Sequence, residues 1–324
     1  MSAADIDQAV GRLLFVAANP SIDRLYEVDR LVMGTIHRPQ SIVAVAGGKG
    51  LNAARAAATL GGRVTAVGIV AGRAGEWIVD RLAALPIEAR MARSSGETRT
   101  CISVLDQSSG VMTEFYERGE EIDPAAWDAL EAIVGSELDS GDVAAVALSG
   151  SLPPGAPSDG YGRIARIAGA RPRPIPVFAD TFGPALAAVL VDRPVVVKLN
   201  ADEAGLSSAM SVSDASSAAE AGRVLRNAGA AWVVVTLGSA GAVVIGPNEQ
   251  THLLPPDLRG AYPVGSGDAF LGGLAVAYAR GEPVLDAARL GLAAGIANAQ
   301  VPGAGELDPA AIDEILEQIR PVSM

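Results

Sequence analysis

Apolar, β-branched runs recur along the chain with helical stretches between many of them. The runs are LLFVAA (13–18), VTAVGIV (64–70), VAAVALS (143–149), PVFAD (176–180), PVVVKLN (194–200), AWVVVTL (231–237) and GAVVIG (241–246). Most are continuous rather than alternating, the pattern of strands buried on both faces of a mainly parallel sheet. LNAARAAATL (51–60) is helical and closed by Gly61 and Gly62; DAFLGGLAVAYAR (268–280) is closed by Gly281, as helix ends often are. PAAWDALEAIVGSEL (124–138) and PAAIDEILEQI (309–319) are further helices. This rhythm predicts an α/β fold with a doubly wound, mainly parallel sheet flanked by helices. Two segments break it. Residues 98–116 alternate, turn at Gln107–Gly110 and alternate again, which reads as a hairpin. Residues 24–45 read as short strands around Gly34. Together they predict a small, half-exposed β-sheet lid inserted, from about 24–45 and 98–116, into a single domain spanning 1–324. No linker, low-complexity tract or internal repeat interrupts that domain.

Composition narrows the function classes. Aromatics make up 4% of a chain that is 49% apolar, so the core is built from Ala, Val, Leu and Ile. Net charge is −12 and no basic stripe is visible, which argues against nucleic-acid binding. The N-terminal MSAADIDQAVGR carries Asp5 and Asp7 and lacks the basic and apolar regions of a signal peptide. No run reaches membrane-span length. A soluble, cytoplasmic protein is expected. The lone cysteine, Cys101, excludes an intrachain disulfide and reads as a buried structural thiol. His37 and His252 are too isolated for most zinc sites, and neither H-E-x-x-H nor G-x-S-x-G occurs. Of 25 basic residues only Lys49 and Lys198 are lysine. An acidic chain binds anions through local positive charge or backbone amides, so its glycine-rich loops matter most.

PVGSGDAFLGG (263–273) turns from small residues into an apolar helix. Gly265, Ser266 and Gly267 let N–H groups converge at a helix N-terminus, which attracts anions. Asp268 beside them can take a proton from an attacking hydroxyl; on local sequence alone it reads equally as an N-cap. Gly272 and Gly273 weaken that helix, so close packing or close ligand approach requires them. In AGGKGLNAARAAATLGG (46–62), Gly47 and Gly48 precede a helix with Asn52 in its first turn. Its amides can bind sugar hydroxyls, or Lys49 is simply solvated at a glycine turn. Lys49 is followed by glycine, so this is not a Walker A loop, and the 265–268 segment lacks the third glycine of a dinucleotide fingerprint. VVVKLNADEAG (195–205) ends a buried strand in Lys198, Asn200, Asp202 and Glu203, where open α/β sheets bind ligands. Asn200 and Glu203 can hold waters around Mg²⁺; Asn200 or Asp202 can equally cap a helix. VVVTLGSAGAVV (233–244), with Thr236, Gly238 and Gly241, can contact a nucleotide. LSGSLPPGAP (148–157) offers Ser149 and Ser151 at a strand end before a proline-fixed loop.

Taken in order, NPSID, GGKGLN, TR, SGSLPPG, KLNADE, TLGSAG and GSGDAF resemble the PfkB family of ribokinase-like carbohydrate kinases, from residue 19 to about 303. NPSIDRLYEVDRL and AGGKGLNAAR are most similar to the 1-phosphofructokinase and tagatose-6-phosphate kinase branch. The resemblance implies a ribokinase-like fold, ATP and Mg²⁺, and phosphoryl transfer to a sugar hydroxyl. It makes Asp268 the base and the amides of Gly265, Ser266 and Gly267 the anion hole. It turns Asp23, Gly47, Gly48, Lys49, Asn52 and Ser149 toward the sugar. Arg99 would meet the substrate phosphate, joined by His37 or Arg38. Asn200 and Glu203 match the family's N-x-x-E element near Mg²⁺ and reach the metal through water only. Lys198, Thr236, Gly238, Gly241 and Asn298 would serve the nucleotide, Asn298 near adenine. Tyr262 and Pro263 replace the family's frequent Asp-Thr, Ser266 replaces an Ala, and a K⁺ requirement is left open. Asp202 stands where some phosphofructokinases carry a nucleotide-facing lysine, and the basic residue that many relatives carry near Thr35 is missing. The expected substrate is fructose 1-phosphate, phosphorylated at O6 to the 1,6-bisphosphate. Fructose 6-phosphate, tagatose 6-phosphate, an unphosphorylated sugar or nucleoside, and a non-catalytic sugar-phosphate sensor are the alternatives. A homodimer through the lid is expected, with no nucleic-acid or membrane partner.

Overall fold

Alternate residues of the first strand, β1 (Arg12–Ala17), enter two different cores. Leu13, Phe15 and Ala17 pack against helices Lys49–Thr59, Ser266–Ala279 and Val284–Asn298. Leu14 and Val16 belong to the core on the opposite face, which also takes in residues of helices Pro124–Asp139, Gly160–Gly169, Gly183–Val191 and Ala215–Asn227. A strand with no wet face needs apolar residues at every position, which is why the sequence shows continuous runs. The computed structural model describes residues 11–324; Asp5 and Asp7, on which the reading of the N-terminus rests, lie outside the described residues.

Fourteen strands form two sheets among the described residues. After β1 come β2 (Ser21–Val28), β3 (Ser41–Gly47), β4 (Val64–Ala71), β5 (Ile87–Ser94), β6 (Thr100–Asp106), β7 (Val111–Tyr116) and β8 (Val143–Ser149). Then follow β9 (Val177–Asp180), β10 (Val196–Asn200), β11 (Trp232–Thr236), β12 (Ala242–Ile245), β13 (Gln250–Leu254) and β14 (Arg320–Ser323). The large sheet has the order β14-β13-β12-β11-β10-β9-β8-β1-β4-β5. It is parallel from β11 to β5, and β12 to β14 add antiparallel edge strands. Ser149 at the end of β8 is in register with Asp180 at the end of β9, and Asn200 of β10 with Thr236 of β11. Polar strand ends therefore lie side by side along one edge of the sheet.

The small sheet has the order β3-β2-β6-β7. Its β6–β7 hairpin matches the alternating 98–116 segment, and the 24–45 segment is an antiparallel pair whose strands reach out to Ser21 and Gly47. β2 and β6 run parallel, which joins the two segments into one sheet. Asp23, Cys101 and Tyr116 are cross-strand neighbours on one face. Ile42, Val111 and Phe115 are exposed on the other. Cys101 is buried, and burial pushes its thiol above the ordinary range, in keeping with a structural role.

Three strands escape the sequence pattern. β5 and β14 are edges of the large sheet, and β13 pairs beside the latter. β5 carries Glu88, Arg90 and Arg93 on its length, because an edge strand with one wet face has no continuous apolar run. The predicted 309–319 helix begins with a 3₁₀ turn, Pro309–Ala311, before the α-helix Ile312–Gln318.

Gly272 and Gly273 turn out to serve helix packing. A Cβ on Gly272 would sit 2.6 Å from the Ala53 carbonyl oxygen, and one on Gly273 would sit 2.9 Å from that of Leu290. The Ser266–Ala279 helix is thus wedged between Lys49–Thr59 and Val284–Asn298 with backbone nearly touching backbone. Gly272→Ala should destabilise the fold by about 1–3 kcal/mol despite the better helix propensity of alanine. Gly169→Ala, at a helical position with nothing within 4 Å of the new Cβ, should be neutral or gain up to about 1 kcal/mol. Urea unfolding of the two variants checks the contrast.

Candidate active site

The N-terminus of the Ser266–Ala279 helix begins at Gly265, whose φ is +85°. A Cβ there would lie 2.6 Å from the Gly305 nitrogen, so both the turn and the loop behind it require glycine. The Ser266 N–H is spent on the Pro263 carbonyl, and Ala269 N–H donates to Gly265. Gly267 and Asp268 are left with N–H groups that no backbone carbonyl accepts. Of the three amides expected to face an anion, that of Ser266 is thus engaged by a backbone carbonyl. The Ser266 hydroxyl is buried without a hydrogen-bond partner, an orphaned group at the same turn.

Asp268 follows in the first helical turn and is buried. Burial pushes its carboxyl up to about 7; Lys49, Lys198 and the Asn52 hydrogen bond pull it down, while Asp180 raises it. Its Oδ2 accepts from Asn52 Nδ2 at 3.0 Å. The same amide donates to Asp23 Oδ2 at 3.1 Å, and that oxygen also accepts the Gly48 N–H at 3.0 Å. A Cβ on Gly47 would collide with the Asp23 carboxylate and displace it from these hydrogen bonds. Gly48, at φ +85°, turns β3 into the Lys49–Thr59 helix. Asp268 and Asp23 are thus joined through one carboxamide that spans from the large sheet's helix layer to the small sheet.

Both lysines of the chain meet on a single carboxylate that the sequence did not single out. Asp180, at the end of β9, has no solvent exposure. Its Oδ1 accepts from Lys49 Nζ at 3.1 Å and its Oδ2 from Lys198 Nζ at 2.7 Å. Burial alone would raise the Asp180 carboxyl, but Lys198 and Lys49 hold it below the usual carboxylate value. Lys49 also donates to Glu203 Oε1 at 2.6 Å. Burial opposes its charge, yet Asp180, Glu203 and Asp268 raise its amine above the ordinary value. A Cβ on Gly267 would lie 3.0 Å from Lys198 Nζ, which places that ammonium against the start of the Ser266–Ala279 helix. Asn200 caps the Ala201–Ser208 helix in a reciprocal capping box with Glu203. The capping alternative is therefore realised, while Glu203 also holds Lys49.

A cavity of about 1050 Å³ opens over these groups. Its wall holds Asp23, Gly48, Lys49, Asn52 and Arg99 at one end and Lys198, Asn200, Thr236, Gly238 and Gly241 at the other, with Gly265–Asp268 between them. Arg99 is partly engaged: Nη1 donates to Glu117 O and Nη2 to Asn19 O, while Nε is buried without a partner. Six sequence candidates are not in the wall. Gly47 lies behind Asp23. Ser149 is buried, with its hydroxyl unpaired. Glu203 reaches the site through Lys49. His37 bonds within the exposed 32–37 turn, and Arg38 is exposed beside it. Asn298 is a correction: it is fully buried and its Nδ2 donates to the carbonyls of Gly303 and Glu306, so it ties a loop rather than facing the cleft. Three residues went unnoticed in the sequence: Asp180, Arg55 on the Lys49–Thr59 helix, and Arg259, which lines the cavity without a hydrogen-bond or ion-pair partner among the described residues. A carboxylate ending a buried strand was the available signal for Asp180; an arginine three residues after Asn52 was the signal for Arg55.

The profile of the pfkB family carbohydrate kinases matches residues 16–311. The chain belongs to the pfkB family of carbohydrate kinases. It is accordingly an enzyme that transfers a phosphoryl group to a hydroxyl. Phosphofructokinase-2 from Escherichia coli, solved in complex with fructose-6-phosphate, is 26% identical over 95% of this chain and 98% of its own, with a TM-score of 0.82. A "possible 1-phosphofructokinase" from Thermotoga maritima shares the fold at a TM-score of 0.87, with 21% identity over 97% of this chain and 99% of its own. Arabidopsis thaliana ribokinase, solved with ribose and ATP, shares it at 0.70, with 22% identity over 95% and 99%. The fold is ribokinase-like. The family implies ATP and Mg²⁺, and the residues fit the nucleotide: free N–H groups at a helix start, an orphaned Ser266 hydroxyl and two lysines beside them. No group of three His, Cys, Asp or Glu among the described residues is placed to hold a metal directly.

Asp180→Asn would leave Lys198 as a buried cation without its counter-charge. Removing one partner of such a pair costs about 3–5 kcal/mol. Chemical unfolding of the variant should show a loss of that order, and a loss below about 1 kcal/mol would contradict the pairing.

Proposed function

We propose that the protein is an ATP-dependent phosphosugar kinase that phosphorylates a ketohexose phosphate, fructose 1-phosphate at O6, to give fructose 1,6-bisphosphate. One observation carries this reading: a buried carboxylate whose pKa is near neutrality, Asp268, sits between free helix N-terminal amides and a carboxamide hydrogen-bonded to Asp23. ATP supplies the transferred phosphoryl group; Asn200 and Glu203 are the residues that would hold Mg²⁺, which when bound would offset the charge on the phosphates. Asp268 takes the proton of the attacking hydroxyl as that oxygen bonds to the γ-phosphorus and ADP leaves. The Gly267 and Asp268 amides and Lys198 steady the charge on the moving group. Asp23 and Asn52 orient the sugar hydroxyls. Lys49, Arg99 and Arg259 are the cations available for phosphates in an otherwise acidic wall. Thr236, Gly238 and Gly241 flank the nucleotide end.

Fructose 6-phosphate is the second reading, favoured by the complex of the Escherichia coli relative. An ADP-release assay over fructose 1-phosphate, fructose 6-phosphate and tagatose 6-phosphate decides between them; equal turnover of unphosphorylated sugars would remove the phosphosugar reading. The small sheet acts as a lid over the sugar end. The exposed Ile42, Val111 and Phe115 on its outer face pair with a second copy. The tetrameric, inhibited form reported for the Escherichia coli relative belongs to that protein. Phe115→Asp should shift sedimentation from dimer to monomer. A cytoplasmic location fits the composition.

Asp268→Asn should cut turnover by about three orders of magnitude or more while substrate binding persists. In the parent enzyme kcat/KM should fall about tenfold per pH unit below pH 7, where Asp268 is protonated. The stability sign is opposite. A carboxyl raised in the folded state contributes stability that is fully present below its unfolded value and is lost as pH rises through about 7. Asp268→Asn should therefore melt higher than the parent at pH 8, with the gap closing toward pH 4.

A further inference from the structure

Asn52 has a choice that its neighbours must settle. Its carboxamide faces two carboxylates, Asp23 and Asp268, and only the orientation with Nδ2 toward both is favourable. Flipped, its oxygen would confront two acceptors. The residue that settles the choice is Arg55, one helical turn on along the same helix. Its Nη1 donates to Asn52 Oδ1 at 3.2 Å and to the Ala304 carbonyl at 2.7 Å. Its Nη2 donates to the Ala46 carbonyl, and Nε pairs with Glu306 at 3.2 Å. The side chain is 3% exposed, and burial lowers its own pKa.

Each of those partners belongs to a different part of the site. Ala46 lies in β3, just before the glycines that lead into the helix. Ala304 is packed behind Gly265, where a Cβ would lie 2.7 Å from its Cα. Asn52 joins the small sheet to Asp268. A guanidinium fork can serve these directions at once, whereas an ammonium cannot hold the same planar array.

We propose that Arg55 is a positioning residue that fixes the Asn52 carboxamide as a double donor and so couples the small sheet, through Asp23, to the proton affinity of Asp268. This deepens the reading of Asp268 as the base and rests on it. The charged groups around Asp268 are Lys49 from the Lys49–Thr59 helix, Asp180 from β9 and Lys198 from β10, with Arg55 beyond Asn52. Arg55→Lys keeps the positive charge and removes the fork, so its effect isolates the orientation of Asn52.

The test is a direct titration of the Asp268 carboxyl by carbon-13 NMR of the full chain, the signal assigned by its loss in Asp268→Asn. Arg55→Lys should raise the midpoint by about one pH unit, a tenfold gain in proton affinity. Asn52→Leu should raise it similarly, and Arg55→Lys should add nothing in that background. General loosening would admit water and lower the midpoint toward ordinary carboxylates, so the sign separates positioning from damage. Should Arg55→Lys fail to fold, Glu306→Gln, at the more exposed end of the ion pair, should give a smaller rise of the same sign. An unchanged or lowered midpoint in the folded members of this set overturns the proposal. Full turnover in Asp268→Asn would remove the base assignment and leave this titration standing, so the two failures are distinguishable.

Discussion

The site depends on one buried carboxylate shared by two ammonium groups. Burying ions is costly unless each is paired and hydrogen-bonded, and removing any one member leaves the others uncompensated. Asp180 meets this condition with one oxygen for Lys49 and one for Lys198. Its position at the end of β9 brings together the adjoining strand β10 and the start of the Lys49–Thr59 helix. Glu203 closes the array from the Ala201–Ser208 helix. Segments separated widely in sequence are thereby held at one point, immediately beneath the Gly267 turn.

A second, softer network is built on that anchor. Asp23 belongs to the small sheet, Asp268 to a helix over the large one, and Asn52 touches both. Each of these contacts is a hydrogen bond to a carboxylate, so the small sheet and Asp268 are linked through a single side chain. Close helix packing at Gly272 and Gly273 gives this arrangement a stiff base: interiors packed backbone to backbone deform little.

The large sheet was legible because strands buried on both faces leave continuous apolar runs. The hairpin was legible because a half-exposed strand alternates. β5 and β14 were not, since an edge strand shares its composition with loops. The capping box of Asn200 and Glu203 could be read from four consecutive residues, as could the glycine turn before Asp268. The pairing of Asp180 could not, because nothing in PVFAD says that two lysines 18 and 131 positions away will point at it. Arg55 was hidden in a run of alanines, its burial accompanied by hydrogen bonds to the carbonyls of Ala46 at the end of β3 and of Ala304 in a distant loop. Asn298 shows the limit of a resemblance: likeness to the family placed it near adenine, whereas here its amide donates to the Gly303 and Glu306 carbonyls.

The pairing of the two lysines also decides how the protein meets amine chemistry. Every other cationic side chain is arginine, so acylating and cross-linking reagents that need a free side-chain amine find no target on the outer surface. Lys198 is sealed at 2% exposure, and Lys49 is held protonated by its carboxylates, the form that does not react. A side-chain amine that does react is then Lys49 or Lys198, so labelling of a lysine reads out the opening of an ion pair in the cleft.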